Sequence, residues 1–195
     1  IENPSKRVQL AAVKRSGFAL QFIKNPDAQV QLAAVKQDGN AIRYIKNPDE
    51  QLQLAAVKNS GDSIEHIRNP GPAVQMAAVK DWSYAIEYIR NPTEEVKKYA
   101  VTKDGYNIMH VKNPSEELQV LAVKKHGYFI QYIKKPCREA QLIAVNRDPM
   151  FIYDIARPCA EAQLLAIKKS RYAIEHIDNP TPAAKAYDKE RWRRR

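Results

Sequence analysis

Residues 26–47 have the sequence PDAQVQLAAVKQDGNAIRYIKN, and residues 48–69 repeat the pattern as PDEQLQLAAVKNSGDSIEHIRN. The pattern extends along the chain in both directions with one proline every 22 residues, at Pro4, Pro26, Pro48, Pro70, Pro92, Pro114, Pro136, Pro158 and Pro180. A fixed period of roughly 20–50 residues is typical of proteins whose units bury their apolar faces against their neighbours. The spacing therefore predicts a stack of tandem units.

Each unit has the pattern of two short helices. Asp27 and Asp49 follow their prolines and are typical N-cap residues, as are Ser5, Thr93, Ser115 and Thr181 at the same position. The first helix is predicted to run about ten residues to a glycine such as Gly39. The second ends at Asn-Pro, because a residue before proline avoids the right-handed α region. We predict an all-α protein, an α-solenoid.

The period also predicts how the chain is organised. Residues 1–180 hold eight tandem repeats, and residues 181–195 are predicted to be a C-terminal capping helix and basic tail. Asp188 stands there in a column that is otherwise alanine, so the polar helix 183–195 is expected to face water. The chain begins with Ile1, at the tail of a repeat, so we expect further sequence upstream.

A glutamine recurs between the alanine and valine columns, in the middle of the apolar face, at Gln9, Gln31, Gln53, Gln75, Gln119, Gln141 and Gln163. A buried amide needs hydrogen-bond partners. One interpretation is a ladder of amides that bond the backbone of the neighbouring repeat. The other is that each amide contacts one unit of an extended polymer, as in base-reading helical repeats.

The net charge of +10 is unevenly distributed. Five basic residues and one acidic residue lie in the last seven positions, so the repeats themselves are only modestly basic. The chain has no run of 18 apolar residues and no signal-peptide pattern, so we expect no membrane association. Two cysteines one repeat apart, Cys137 and Cys159, suit a reducing compartment, and we expect a cytoplasmic, intracellular protein.

Two columns of basic residues mark the helix ends. The first helix ends near Lys14, Lys36, Lys58, Lys80, Lys124 and Lys168, and the second near Lys24, Lys46, Arg68, Arg90, Lys112 and Lys134. Cations at these places interact favourably with the helix dipole, so exposed capping residues explain both columns. The alternative is a ladder of phosphate contacts, for which the second column supplies the candidate residues.

An aromatic stripe lies along one face of the second helix. Phe18, Tyr84, Tyr106, Tyr128 and Tyr172 stand four residues before Phe22, Tyr88, His110, Tyr132 and His176, and Tyr44 and His66 continue the second row. Its rings either stack on the next repeat or form an exposed recognition surface. Repeat five departs from the pattern at Lys97, next to Tyr99. The candidate partner-binding residues are Tyr44, Tyr84, Tyr88, Lys97, Tyr99, Tyr106, His110, Tyr128, Tyr132 and Tyr172.

The residues that usually carry chemistry are scattered. The four histidines, His66, His110, His126 and His176, never share a column in adjacent repeats, and no cysteine or acid joins them at ligand spacing. Cys137 and Cys159 lie at predicted helix N-termini without a nearby histidine, and are interpreted as weak substitutes for Ser or Asp caps. We expect no metal, no cofactor and no enzymatic activity.

The strings Val-Gln-Leu-Ala-Ala-Val-Lys (8–14 and 30–36) and Ile-Lys-Asn-Pro (23–26 and 45–48) resemble a family of short tandem repeats known only as a domain of unknown function. The resemblance covers residues 1–182 and implies an all-helical array, with no assigned activity. The layout also resembles, more loosely, the leucine-rich repeat variant, another stack of two short helices per unit.

These observations predict a non-catalytic binding or scaffold protein that engages a protein partner or packs as a structural component of a larger assembly. The alternative is binding of an RNA or DNA backbone through the lysine columns, the aromatic stripe and residues 192–195.

Overall fold

The computed structural model describes residues 4–192. In this range α-helices alternate with 3-10 helices. The α-helices are α1 (Lys6–Arg15), α2 (Ala28–Gln37), α3 (Glu50–Asn59), α4 (Pro72–Asp81), α5 (Glu94–Lys103), α6 (Glu116–Lys125), α7 (Arg138–Arg147), α8 (Ala160–Lys169) and α9 (Pro182–Arg191). The 3-10 helices are η1 (Gly17–Phe22), η2 (Gly39–Tyr44), η3 (Gly61–His66), η4 (Ser83–Tyr88), η5 (Gly105–His110), η6 (Gly127–Tyr132), η7 (Pro149–Asp154) and η8 (Ala173–His176).

The chain forms two compact units, Ile1–Ala100 and Val101–Arg195, and the division falls within α5. In the first unit α1 to α4 pack each on the next, as do η1 to η4. In the second unit α6 to α9 and η5 to η8 pack in the same sequential way. Each unit is therefore an α-solenoid, and the predicted fold class is confirmed.

Small and branched side chains fill the core of both units in columns. In the first unit Ala34, Ala56 and Ala78 are completely buried, and the valines that follow them are buried as well. In the second unit Ala122, Ala144 and Ala166 are completely buried in the same column. A side chain no larger than a methyl group lets consecutive α-helices approach closely, so this column sets the spacing of the stack.

The second helix of each repeat is a 3-10 helix rather than an α-helix. Its largest fully buried side chain is an isoleucine in six consecutive repeats: Ile42, Ile64, Ile86, Ile108, Ile130 and Ile152. A six-residue segment is too short to be stable alone as an α-helix, and the tighter 3-10 winding suits a short connector. Packing of this isoleucine against the α-helices therefore holds the segment in place.

The glycine does not end the first helix in the way that the sequence predicted. None of the glycines has a positive φ. The residue before each one is extended instead, as at Asp38 with φ −148°. A Cβ on Gly39 would lie 2.5 Å from the carbonyl oxygen of Ala56 in the next repeat. Glycine is needed because the next repeat approaches its backbone closely.

The second helix ends three residues before the asparagine that precedes proline, as η2 does at Tyr44 before Asn47, and not at Asn-Pro as predicted. The asparagine itself has an unusual conformation. Asn25, Asn47, Asn69 and Asn113 have φ between 49° and 51°. This is the left-handed region, which asparagine tolerates better than other residues with a Cβ. The asparagine therefore turns the chain into the next repeat's proline.

Most of the predicted N-caps are confirmed. The side chains of Asp27, Asp49, Thr93, Ser115 and Thr181 each accept a hydrogen bond from the backbone N–H three residues later. Cys137 does so through sulfur, 3.5 Å from the nitrogen of Ala140. Ser5 makes no side-chain capping bond, and neither does Cys159. Both thiols are free.

The last helix, α9, packs against α8. Lys185, Lys189 and Glu190 of this polar helix are exposed, whereas Asp188 is 5% exposed and occupies the same buried position as the alanines of its column. Trp192 holds this end in place, since its indole Nε1 donates to the carbonyl oxygen of Ile167 at 3.0 Å. The rest of the predicted basic tail, residues 193–195, lies outside the described residues.

Candidate functional site: grooves beside the 3-10 helices

The glutamine column forms the ladder that links repeats. Gln141 Nε2 donates to the carbonyl oxygen of Pro136 at 2.8 Å, and its Oε1 accepts from the backbone N–H of Cys159 in the next repeat at 2.7 Å. Gln75, Gln119 and Gln163 make the same pair of bonds. These four side chains are buried. The structural interpretation of the column is confirmed at these positions, and these amides are not available to read a polymer.

The aromatic stripe of the first unit stacks partly on itself. The rings of Phe18 and Tyr44, in successive repeats, meet edge to face with centroids 6.1 Å apart. Trp82 lies 6.2 Å from Tyr84 and 6.1 Å from Tyr88 between ring centroids. Tyr44 and Tyr88 nevertheless remain 37% and 39% exposed. Stacking on the next repeat is confirmed for Phe18, and an exposed edge of the stripe remains.

The stripe of the second unit is a denser cluster. Tyr106 and Tyr132 of successive repeats lie edge to face at 5.2 Å, and Tyr128 reaches both Phe129 and Tyr132. Burial raises the pKa of the Tyr132 hydroxyl, and its hydrogen bond with Tyr106 adds to the rise. These rings are half-buried and brace neighbouring repeats, so stacking explains them.

The remaining predicted partner-binding residues lie apart from these stacks. Lys97 is on α5 and pairs with Glu94 of the same helix, Nζ to Oε1 2.6 Å, and Tyr99 is half-buried on that helix. His110 is half-buried at the end of η5. Tyr172 is 53% exposed, with the Arg171 guanidinium 4.7 Å from its ring centroid. Lys97 and Tyr99 belong to the first unit, and His110 and Tyr172 to the second.

All six predicted phosphate contacts are exposed and lie in the loops that follow the 3-10 helices: Lys24, Lys46, Arg68, Arg90, Lys112 and Lys134. The column continues with Ala156 and Asp178, so the cationic character ends within the second unit. The lysines at the ends of the α-helices are exposed as well, which fits a solvated capping role.

Open grooves recur where these loops meet the next repeat. In the first unit one groove of about 660 Å³ is lined by Arg43, residues 45–48, Gln53, His66 and Arg68, and another of about 470 Å³ by residues 67–70, Gln75 and residues 88–91. The second unit has an equivalent groove of about 670 Å³, with Tyr153, Arg157, Glu175 and Asp178 in its lining. We call the first of these the basic groove and the last the acidic groove. Their position in the repeat is the same while their charges differ.

Sequence reasoning missed the most firmly held side chain of the basic groove, Arg43. Its Nη2 lies 2.6 Å from Nε2 of His66 in the next repeat, its Nε donates to the carbonyl oxygen of Asn40, and its guanidinium lies 5.8 Å from the ring centroid of Phe18. Position 43 has no basic residue at the equivalent place in neighbouring repeats, so no column marked it. The signal that could have found this contact is the sequence separation. Arg43 and His66 are 23 residues apart, and so are Arg138 and Glu161, which form a hydrogen bond as well.

An apolar groove of about 480 Å³ lies between α3 and α4 of the first unit. Leu54, Ala73, Met76 and Ala77 line it, with Lys58, Lys80 and Asp81 at its edge. Leu54 and Met76 are half-buried.

In residues 4–192 no group of three His, Cys, Asp or Glu side chains lies close enough together to hold a metal ion. None of the helices in this range combines the length and the apolar character that crossing a membrane requires.

No family model, curated protein or solved structure matches this chain. The resemblance to the repeat family of unknown function stays a prediction that rests on the repeat residues themselves.

Proposed function

We propose that this protein is a non-catalytic scaffold that binds a protein partner, or a neighbouring subunit of an assembly, along the ends of its 3-10 helices. The observation that carries the proposal is the recurring groove at that place: each groove includes one glutamine of the column, and the rest of the lining differs between repeats. Repeat proteins bind partners through extended surfaces of this kind, with the variable positions supplying specificity. Exposed tyrosines beside the grooves suit protein recognition, because Tyr is enriched in binding hot spots.

We further infer an intracellular location. The two free thiols, Cys137 and Cys159, are half-buried, and free cysteines persist in a reducing compartment.

Quantitative co-purification tests the proposal. The tagged chain is compared with a Tyr44→Ala/Tyr88→Ala variant, which removes two exposed rings, and with a Lys58→Ala/Lys80→Ala variant altered on the α-helix surface. We expect some proteins to co-purify with the wild type and the lysine variant but to be depleted from the tyrosine variant. One of these proteins should bind the purified chain directly.

A set of captured proteins that is the same for the tag alone, or that does not respond to the tyrosine variant, would contradict this interface. The urea midpoints of the three proteins are the control. If they are equal, a difference in the captured proteins comes from the altered surface and not from unfolding.

Nucleic-acid binding is the second candidate, and the exposed cations at four successive repeats of the first unit, Lys24, Lys46, Arg68 and Arg90, favour it. Phosphate contacts make affinity fall steeply with salt. Fluorescence anisotropy of a labelled RNA or DNA oligomer across a salt series tests it. Absence of binding at about 50 mM salt, where screening is weak, excludes this function.

A further inference from the structure

Positive charge lines the basic groove. Among the eight residues that line it, Arg43, Lys46 and Arg68 are cationic and none is acidic. The remaining lining consists of Ile45, Asn47, Pro48, Gln53 and His66. A concave surface lined by one sign of charge focuses its field and attracts the opposite charge. The groove is therefore complementary to an anion.

Arg43 is held in place before any ligand arrives. Three consecutive repeats fix it: the Phe18 ring lies against its guanidinium, the Asn40 carbonyl accepts from its Nε, and His66 Nε2 takes a hydrogen bond from its Nη2. A long side chain that is already ordered loses less conformational freedom on binding. The planar fork of a guanidinium also pairs with a carboxylate through two parallel hydrogen bonds.

The acidic groove of the second unit shows that the fold does not require these cations. At the equivalent place the chain has Glu175 and Asp178, with Arg157 as the cationic residue among the lining side chains. The two grooves have nearly the same volume, about 660 and 670 Å³. The positive lining of the basic groove is thus a property of these particular repeats.

The lining favours a peptide over a nucleic acid. Single-stranded nucleic acids are held by aromatic side chains on which bases stack. The one aromatic ring in the basic groove, His66, is engaged with Arg43, and the apolar contacts come from Ile45 and Pro48. Aliphatic surface of this kind suits the carbon stems of acidic side chains or their apolar neighbours.

We propose that the basic groove binds an acidic peptide segment of the protein partner, with Arg43 and Arg68 pairing with its carboxylates. The inference rests on the proposed function and specifies the chemistry of the segment that is bound. Arg43 lies in η2 and Arg68 in the loop after η3, so the segment crosses two repeats.

A binding assay with a defined probe tests this assignment. The probe is a fluorescein-labelled peptide of about ten residues, roughly 33 Å when extended, in which glutamates alternate with alanines. In the control peptide, glutamine replaces every glutamate. At about 50 mM salt, where exposed charges are weakly screened, the full chain is expected to bind the glutamate peptide at least about tenfold more tightly.

An Arg43→Gln/Arg68→Gln variant should weaken binding of the glutamate peptide by about tenfold or more. The matched control is Lys36→Gln/Lys58→Gln, which removes the same charge from exposed side chains that do not line this groove. It should weaken binding by less than about threefold, because only the long-range field changes. If the arginine variant has a lower urea midpoint, Arg43→Lys/Arg68→Lys replaces it, since lysine keeps the charge but lacks the fork.

Three results would overturn the assignment: equal binding of the two peptides, equal losses from the arginine and lysine variants, or tighter binding of a ten-nucleotide single-stranded RNA that is lost in the arginine variant. The co-purification separates this failure from failure of the proposed function. If capture of a partner depends on Tyr44 and Tyr88 but the arginine variant still captures it, the scaffold function is supported and the binding of an acidic segment in the basic groove is not.

Discussion

Gln141 accepts a hydrogen bond from the backbone N–H of Cys159, one repeat further along the chain, at 2.7 Å. The bond ties the interior of one α-helix to the first residue after the next repeat's proline. Because that N–H precedes the helix, it has no partner within the helical backbone. The ladder therefore gives the N–H group at a helix N-terminus a hydrogen-bond partner, and it also fixes the spacing of the repeats.

Replacing Gln141 with leucine should destabilise the second unit. The change leaves the Cys159 N–H and the Pro136 carbonyl without their side-chain partner in a buried place, and an unsatisfied buried group costs about 1–3 kcal/mol. The free energy of unfolding in urea measures the effect. Gln131→Leu is the matched control, because Gln131 is exposed on η6 and surface changes are usually within about 0.5 kcal/mol. Equal losses would contradict the structural role of the ladder.

The glutamine also shows what the sequence makes predictable. A polar residue that recurs at one place on an apolar face must have a partner that recurs as well, and both the neighbouring repeat and an extended polymer would do so. The sequence therefore predicts the ladder at Gln141 as one of two interpretations, and the burial of its side chain decides for the ladder. The buried alanine column follows in the same way from its strict small size at positions such as Ala56.

Features that occur once, or that depend on the distance between repeats, could not be predicted from the sequence pattern. Arg43 has no equivalent in neighbouring repeats, so its contact with His66 depends on a single pair of positions. Asp188 lies in a helix whose polar sequence predicts exposure, but its column determines its burial. Gly39 was interpreted from its own backbone, whereas the carbonyl of Ala56 in the next repeat determines it.

Gly39→Ala tests the close approach of repeats. The added Cβ would lie 2.5 Å from the carbonyl oxygen of Ala56, so the backbones must separate, at a cost of about 1–3 kcal/mol in the free energy of unfolding. Gly71→Ala is the same change where the nearest atom, a side-chain oxygen of Glu50, is 3.9 Å away. It should cost about 1 kcal/mol, the usual preference of an N-cap for glycine over alanine, and less than Gly39→Ala. If both variants have the same urea midpoint, close approach is not what selects glycine.

Ser63→Ala should stabilise the first unit. Ser63 is completely buried in the column that contains Ala41 and Ala85, and none of the described residues offers its hydroxyl a hydrogen bond. Removing an unpaired buried hydroxyl is expected to raise the free energy of unfolding by about 1 kcal/mol.

The control for this prediction is Ser60→Ala, the same change three residues earlier. The Ser60 hydroxyl donates to Asp62, and this bond is the main cause of the lowered pKa of that carboxyl. Losing it should lower stability, so the two substitutions are expected to have opposite signs. A decrease for both would show that the Ser63 hydroxyl has a partner in solution.

The pair of His66 and Arg43 makes stability depend on pH. Burial lowers the pKa of His66 and the Arg43 guanidinium lowers it further, while Glu65 and Asp62 oppose the shift. The unfolded chain, with an ordinary histidine pKa of about 6.5, therefore binds more protons than the folded chain just below that pH. Stability should fall as the pH is lowered through 6.5 toward the folded-state pKa. Between about pH 7.5 and pH 5 the melting temperature of the wild type is expected to fall further than that of His66→Gln, which keeps an acceptor for Arg43 but does not titrate. Parallel pH profiles of the two proteins would contradict the lowered pKa of His66.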